Sequence, residues 1–335
     1  MPEFFFFDCR KWGYNKRMAP LAYIVINPVA GVSRPQDIRA AVEKVLRPAG
    51  WTLAYYETTG KEDLPAVVRA AVNELTPDLV VAAGGDGTLS GVAAGLAGSG
   101  VPMGILPAGS WNALARNLEI PGSHEEAARL WLGDHELQPL DGIRVGERMY
   151  FLNVGVGISS RLMSTPREGK RFLGGLAYIR TLITELTGLS MRRYRVTVDG
   201  RVVKVRAVEV IAVSASLGGV GELRTHRVFH PGDGKLEICA IRAKTFGQGV
   251  MVILRFIAGR RGKNAGILYY RANKTFTIQT RRRLPVQADG EVVGWTPLEG
   301  EVVPHAVNVI VKPGFKTRLE ERHRMQDEQD FPRWG

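Results

Sequence analysis

The chain has 335 residues, 45% of them hydrophobic, and a formal net charge of +12. That length buries a substantial core and suits two domains. Two cysteines, Cys9 and Cys239, exclude a disulfide framework and a cysteine metal cluster and fit a reducing cytoplasm. No apolar run reaches bilayer length, and the Phe4–Phe7 run is too short for a signal-peptide core, so neither a helical membrane span nor a secretory leader is expected.

The first credible strand is Ala22–Asn27, preceded by Met18, so residues 1–19 read as an N-terminal extension. A turn-forming run, Asn27-Pro28-Val29-Ala30-Gly31, follows it. Helical spacing of Ile38, Ala41, Val42 and Val45 predicts a helix over 35–48. Trp51–Thr58 is a second strand and Asp63–Leu75 a second helix. The apolar run 79–83 then enters Gly84-Gly85-Asp86-Gly87-Thr88-Leu89, with a helix expected from near Thr88. A turn this rich in glycine lets backbone N–H groups converge on an anion, and a helix N-terminus adds its positive end. Asp86 would repel a bare phosphate there; a divalent cation between the two removes the conflict, as in transfer from a magnesium–nucleotide. No lysine follows the glycines, which excludes a P-loop, and Ser90 stands at the third glycine position of a dinucleotide fingerprint. Val101–Leu106 is a fourth strand, leading into Pro107-Ala108-Gly109-Ser110-Trp111-Asn112, where Ser110 is a candidate N-cap. Alternating strands and helices imply a parallel sheet with ligands at the carboxyl ends of its strands, where the loops 27–31, 84–88 and 107–112 all lie.

From about residue 136 short β-branched runs dominate: Leu137–Val145, Met149–Val156, Tyr194–Val198, Val202–Val213, Leu236–Ile241, Thr275–Gln279 and Val307–Val311. They argue for an antiparallel sandwich, with helices expected at 174–187 and 246–258. The chain therefore divides into an α/β domain at 20–135, a β-rich domain at 136–315 and a charged tail at 316–335 with room for a last helix. Between Arg255 and Arg283 nine lysines or arginines occur without an acid. Such a stretch suits an anionic partner: lipid head groups, nucleotide phosphates or nucleic acid. No nucleic-acid motif accompanies it, so a membrane surface is the first choice and no nucleic-acid partner is expected.

Gly84–Leu89 resembles the signature of the diacylglycerol kinase catalytic-domain family. Asn27–Gly31 resembles its opening NPxAG loop, and Gly109–Arg116 its PxGTxNxxAR segment with Ser110 for threonine. Ala288-Asp289-Gly290-Glu291 resembles its late DGE motif; alone, Asp-Gly between strands is equally a hairpin turn. The resemblance implies an N-terminal parallel-sheet α/β domain followed by a β-sandwich, and an ATP- and Mg2+-dependent kinase acting on a lipid hydroxyl, diacylglycerol first. Carried over, Asp289 is the candidate base, Glu291 its neighbour, and Asp86 the acid that holds the magnesium–phosphate group. Asn27, Pro28, Gly31, Gly84, Gly85, Gly87, Thr88, Gly109, Ser110 and Asn112 line the nucleotide, and Asp233 with Glu237 is a candidate structural metal pair. The Asn-Glu that often follows the glycine loop in the family is Ser90-Gly91 here, so that glutamate has no carrier. The implied setting is cytoplasmic, peripheral at the inner membrane, with lipid as partner and a homodimer as the candidate assembly. An NAD kinase-like enzyme and a non-catalytic nucleotide- or lipid-binding protein on the same fold are the alternatives.

Overall fold

The computed structural model describes residues 19–31, 33–163, 191–215, 229–243, 245, 247–248 and 266–330. The first half follows the expected order: β1 (Leu21–Ile26), α1 (Pro35–Leu46), β2 (Thr52–Glu57), α2 (Leu64–Leu75), β3 (Leu79–Gly84), α3 (Asp86–Leu96) and β4 (Met103–Pro107). These strands lie parallel in the order β2-β1-β3-β4. β1 and β3 are buried along their whole length, which is why both read as unbroken apolar runs. Prolines open α1 and α2, where the missing N–H costs nothing. Helix α3 starts two residues earlier than expected, because extended Gly85 serves as its N-cap.

Beyond β4 come α4 (Ala113–Asn117), α5 (His124–Arg129), β5 (Glu136–Val145), β6 (Arg148–Tyr150), β7 (Asn153–Gly157), α6 (Ile158–Met163), β8 (Arg192–Val198), β9 (Arg201–Ala207), β10 (Glu209–Val213), β11 (Leu236–Ile241), β12 (Ile267–Ala272), β13 (Thr275–Thr280), β14 (Pro285–Ala288), β15 (Glu291–Trp295), β16 (Leu298–Val311) and α7 (Phe315–Asp330). Two expected strands are each divided. The 149–156 run breaks at Phe151-Leu152, whose N–H groups turn to a carboxylate instead of a neighbouring strand. The 202–213 run breaks at Val208, where the chain leaves one sheet for the other. The expected helices at 174–187 and 246–258 lie outside the described residues, apart from Gly247 and Gln248, which are helical. No helix among the described residues is long and apolar enough to cross a membrane.

The second half is the expected sandwich. A six-stranded antiparallel sheet, β12-β11-β10-β7-β14-β15, faces the antiparallel part of a ten-stranded sheet. Val156, Tyr194, Val196, Val210, Ile238, Phe276 and Ile278 fill the space between them. The ten-stranded sheet also contains the whole parallel half, because β16 runs beside β4 at one end and β13 at the other. The charged tail folds back as α7: Phe315 and Leu319 are buried in the first core, and Arg318 and Arg322 pair with Glu119.

Glu209 is a buried acid in the second core. Its carboxylate accepts from Ser159 N at 2.8 Å and Ser159 Oγ at 2.6 Å, at the start of α6. Gly155 and Gly157 leave the room: a Cβ on either would lie 2.9 or 2.7 Å from its oxygens. These glycines thus accommodate a side chain of the protein. Burial raises the Glu209 carboxyl from 4.5 to about 7 against the pull of its donors. The stability this acid contributes is therefore complete below about pH 4.5 and lost as pH rises through 7. In Glu209→Gln the amide satisfies the same partners without a charge. Thermal unfolding followed from pH 4.5 to 8 should show a decline in the wild type that the variant lacks, with the variant the more stable at pH 8.

Candidate functional site

The three glycine-bearing loops meet at the carboxyl edge of the parallel sheet, as the topology demands. Asn27 Nδ2 donates to Thr88 Oγ1 at 3.0 Å, joining the loops after β1 and β3. Gly31 sits in the left-handed region (φ +60°), and a Cβ there would lie 2.1 Å from the Ala108 carbonyl oxygen. Gly85 and Gly109 meet backbone to backbone: a Cβ on Gly109 would lie 2.4 Å from Gly85 Cα. Pro28 occupies the turn just after β1, and Gly84 closes β3 with its α-carbon against the Thr88 side chain. Gly87 differs from these, since a Cβ there would meet nothing within 4 Å. The first turn of α3 has no side-chain cap. Glycines on the inner side of this edge let loops touch, whereas Gly87 leaves backbone open.

Two expectations for this edge need correction or completion. Ser110 is exposed and does not cap a helix. Helix α4 starts three residues later, with Asn112 at its N-cap in the left-handed region (φ 46°). The capping group is Asp86, whose two carboxylate oxygens accept from Ala113 N and Leu114 N at 3.0 Å each. A carboxylate inside a phosphate-type loop thus has a local partner: the positive end of the next helix. Asn112 also ties its own loop, accepting from Gly109 N at 2.8 Å and donating to Gly109 O at 2.7 Å.

Asp289 joins the two halves. It lies in an Asp-Gly hairpin turn between β14 and β15, with φ 46° at Asp289 and 90° at Gly290. Its carboxylate accepts from the N–H groups of Phe151, Leu152 and Asn153 at 2.9–3.0 Å and from the Ser90 hydroxyl of α3. The structure contains an internal control. Asp199, in the Asp199-Gly200 turn between β8 and β9, accepts in the same way from the N–H groups of Asn273, Lys274 and Thr275. Burial works against the Asp199 anion, but the amides prevail and hold its carboxyl below the usual range. With a like set of amides plus a hydroxyl, Asp289 is instead pushed up, because burial dominates. The hairpin reading of Asp-Gly is therefore realised at Asp289, and the turn places a buried acid there. Glu291 opens β15 as an exposed residue. Tyr150, half-buried, feels the charge of both acids, and burial raises its hydroxyl.

Ser90 and the Phe151–Asn153 amides are the site components that sequence patterns do not reveal. Ser90 stands only as a departure from a motif, and the amides carry no side-chain signature.

The candidate metal pair is not assembled. Asp233 accepts from Lys235 N and lies beside the buried Asp141, whose carboxyl burial raises to about 6. Glu237 instead faces Arg271 across the β11–β12 pair, 3.8 Å away. No group of three or more His, Cys, Asp or Glu able to hold a metal occurs among the described residues.

Two sequence models match the chain in succession. The diacylglycerol kinase catalytic domain covers residues 21–145, and the YegS C-terminal NAD kinase beta sandwich-like domain covers 153–311. Residues 21–145 thus match a diacylglycerol kinase catalytic domain, and a sandwich-like domain follows it. The chain is similar to a protein named diacylglycerol kinase from Bacillus subtilis (strain 168), 26% identical over 306 residues that span 90% of this chain and 99% of that one. A protein named Probable lipid kinase YegS-like from Klebsiella pneumoniae (strain 342) is 33% identical over 164 residues, 48% of this chain and 54% of that one. A crystal structure of a diacylglycerol kinase from Bacillus anthracis str. Sterne shares the fold, with a TM-score of 0.69 at 24% identity over 89% of this chain and 99% of that one.

Gly31→Ala tests the loop packing directly. It adds a Cβ at a positive φ and against a carbonyl, so denaturant unfolding should show a loss on the order of 3 kcal/mol or more. Unchanged stability would mean that the loops can separate freely.

Proposed function

We propose that this protein is an ATP- and magnesium-dependent kinase that phosphorylates a lipid hydroxyl, converting diacylglycerol to phosphatidic acid at a membrane surface. The observation that carries this reading is the placement of Ser90. It lies four residues after Asp86 on α3, a rise of about 6 Å, and its hydroxyl donates to Asp289. The anion-binding end of α3 and the acid of the second half are thus about one helical turn apart.

The residues fit a nucleotide phosphate. The uncapped start of α3 and the open backbone at Gly87 leave N–H donors accessible, with Asn27, Thr88, Gly109 and Asn112 around them. A divalent ion would be held chiefly through the phosphates, with the remaining lone pairs of Asp86 in reach. The magnesium–nucleotide, when bound, supplies the transferable phosphoryl group with part of its charge neutralised. The protein's contribution is orientation and proton handling. As the acceptor oxygen loses its proton to Ser90 Oγ, Ser90 passes its own to Asp289 Oδ2, whose affinity for a proton burial has raised. Glu291, two residues on, faces solvent at the entrance to the same turn.

Transfer from labelled ATP with magnesium into detergent–lipid micelles tests this, with diacylglycerol, ceramide, sphingosine, phosphatidylglycerol and, separately, NAD as acceptors. Label is expected in diacylglycerol. Ser90→Ala should lower turnover by about a hundredfold, the range of a lost proton relay, with nucleotide affinity retained. Gly87→Ala should lose nucleotide binding at unchanged thermal stability, because the added methyl meets only open space. Label in NAD alone, or in no acceptor, would sink the proposal.

A further inference from the structure

The outer face of β8 and β9 carries charge in an arrangement that does not stabilise the hairpin. In their antiparallel register Arg193 stands opposite Arg206, and Arg195 opposite Lys204. All four are exposed, and none is ion-paired among the described residues. Like charges directly opposite one another on neighbouring strands are unfavourable. Elsewhere on the same face the chain makes the opposite choice: Arg144 stands opposite Glu301 across β5 and β16 and pairs with it at 3.2 Å. The acids of this face, Glu299 and Glu301, lie on β16 opposite Thr277 and Thr275, away from the Arg193 end.

Two neighbouring features extend the cationic surface. Strand β13 ends with Thr280 opposite Tyr194, so the exposed Arg281-Arg282-Arg283 turn that follows lies at the Arg193 end of the sheet. Just after the turn Pro285 pairs with Trp295, whose side chain is 61% exposed. Cations beside an exposed indole suit a lipid–water boundary, where tryptophan is enriched and anionic head groups attract arginine and lysine.

We propose that this end of the sandwich, the cationic face of β8–β9 with the Arg281–Arg283 turn and Trp295, docks the protein on an anionic bilayer. The choice of a bilayer over another polyanion rests on the lipid-kinase reading. Arg283 and Asp289 are separated by six residue steps through β14, so the docked turn lies within about 20 Å of Asp289 at ~3.3 Å per residue. That distance keeps Asp289 close to the membrane surface.

Co-sedimentation with phosphatidylcholine vesicles, pure or mixed equally with phosphatidylglycerol, tests this docking. The wild type should bind only the mixed vesicles and release as salt is added. Each neutralised cation should weaken partitioning roughly fivefold, so Arg193→Gln with Arg195→Gln should weaken it about 25-fold. The same double variant should unfold at the same temperature or higher, since it removes two repulsions. Trp295→Ser is an independent variant at an exposed site and should also weaken binding. Transfer in neutral detergent micelles should be unchanged in all of these. Mixed-vesicle binding undiminished in the double variant would overturn the proposal, as would tighter wild-type binding to a DNA duplex than to mixed vesicles. Vesicle binding lost in the variants, with no lipid phosphorylated by the wild type, would keep the docking surface and reject the kinase reading.

Discussion

One carboxylate sets the relation between the two halves of this molecule. Asp289 takes three N–H groups from the chain entering β7 and a hydroxyl from α3. A buried acid deprived of such donors costs several kcal/mol, so the segments that supply them are held together. The interruption between β6 and β7, the position of α3 and the path of the β14–β15 turn all answer to that requirement. The second copy of the arrangement, at Asp199, shows the same backbone geometry where another Asp-Gly turn meets the start of a neighbouring strand. What distinguishes Asp289 is that a helix from the other half closes over it.

The phosphate-type edge is organised by the same logic applied to backbone. Gly31, Gly85 and Gly109 are small because loops touch there, and Asp86 is acidic because a helix begins against it. Motif residues of this kind serve the architecture first, and the architecture leaves one stretch of backbone, at Gly87, open to a ligand. A nucleotide phosphate would meet a surface already rigid before it arrives.

The parallel half was legible because β1 and β3 are buried along their whole length and α1 carries a single apolar stripe. Convergence of the three loops followed from topology alone. The sandwich was legible as a class, though its strand limits were not. Nothing local in Met149–Val156 or Val202–Val213 marks a break; Phe151 and Leu152 leave the ladder for a residue 137 or more positions away. Ser110 looked like a cap because it precedes a helix, but the capping acid comes from a different loop. Asp233 and Glu237 were a candidate pair only through the family resemblance, and the β11–β12 register turns Glu237 toward Arg271. Short-range patterns report burial well, while partnerships between distant polar groups are decided by the assembled fold.

Strand β16 has an implication for how the chain reaches this state. Its residues, 298–311, complete the sheet beside β4, whose outer edge has no parallel neighbour until they arrive. During synthesis the first hundred or so residues therefore emerge with an apolar sheet edge uncovered, and it stays so until nearly three times as much chain has been made. Such an edge is prone to pair with other chains. A fragment confined to the N-terminal half would be an aggregation-prone species rather than a small independent domain. The parallel half of this protein thus matures last, although it is translated first.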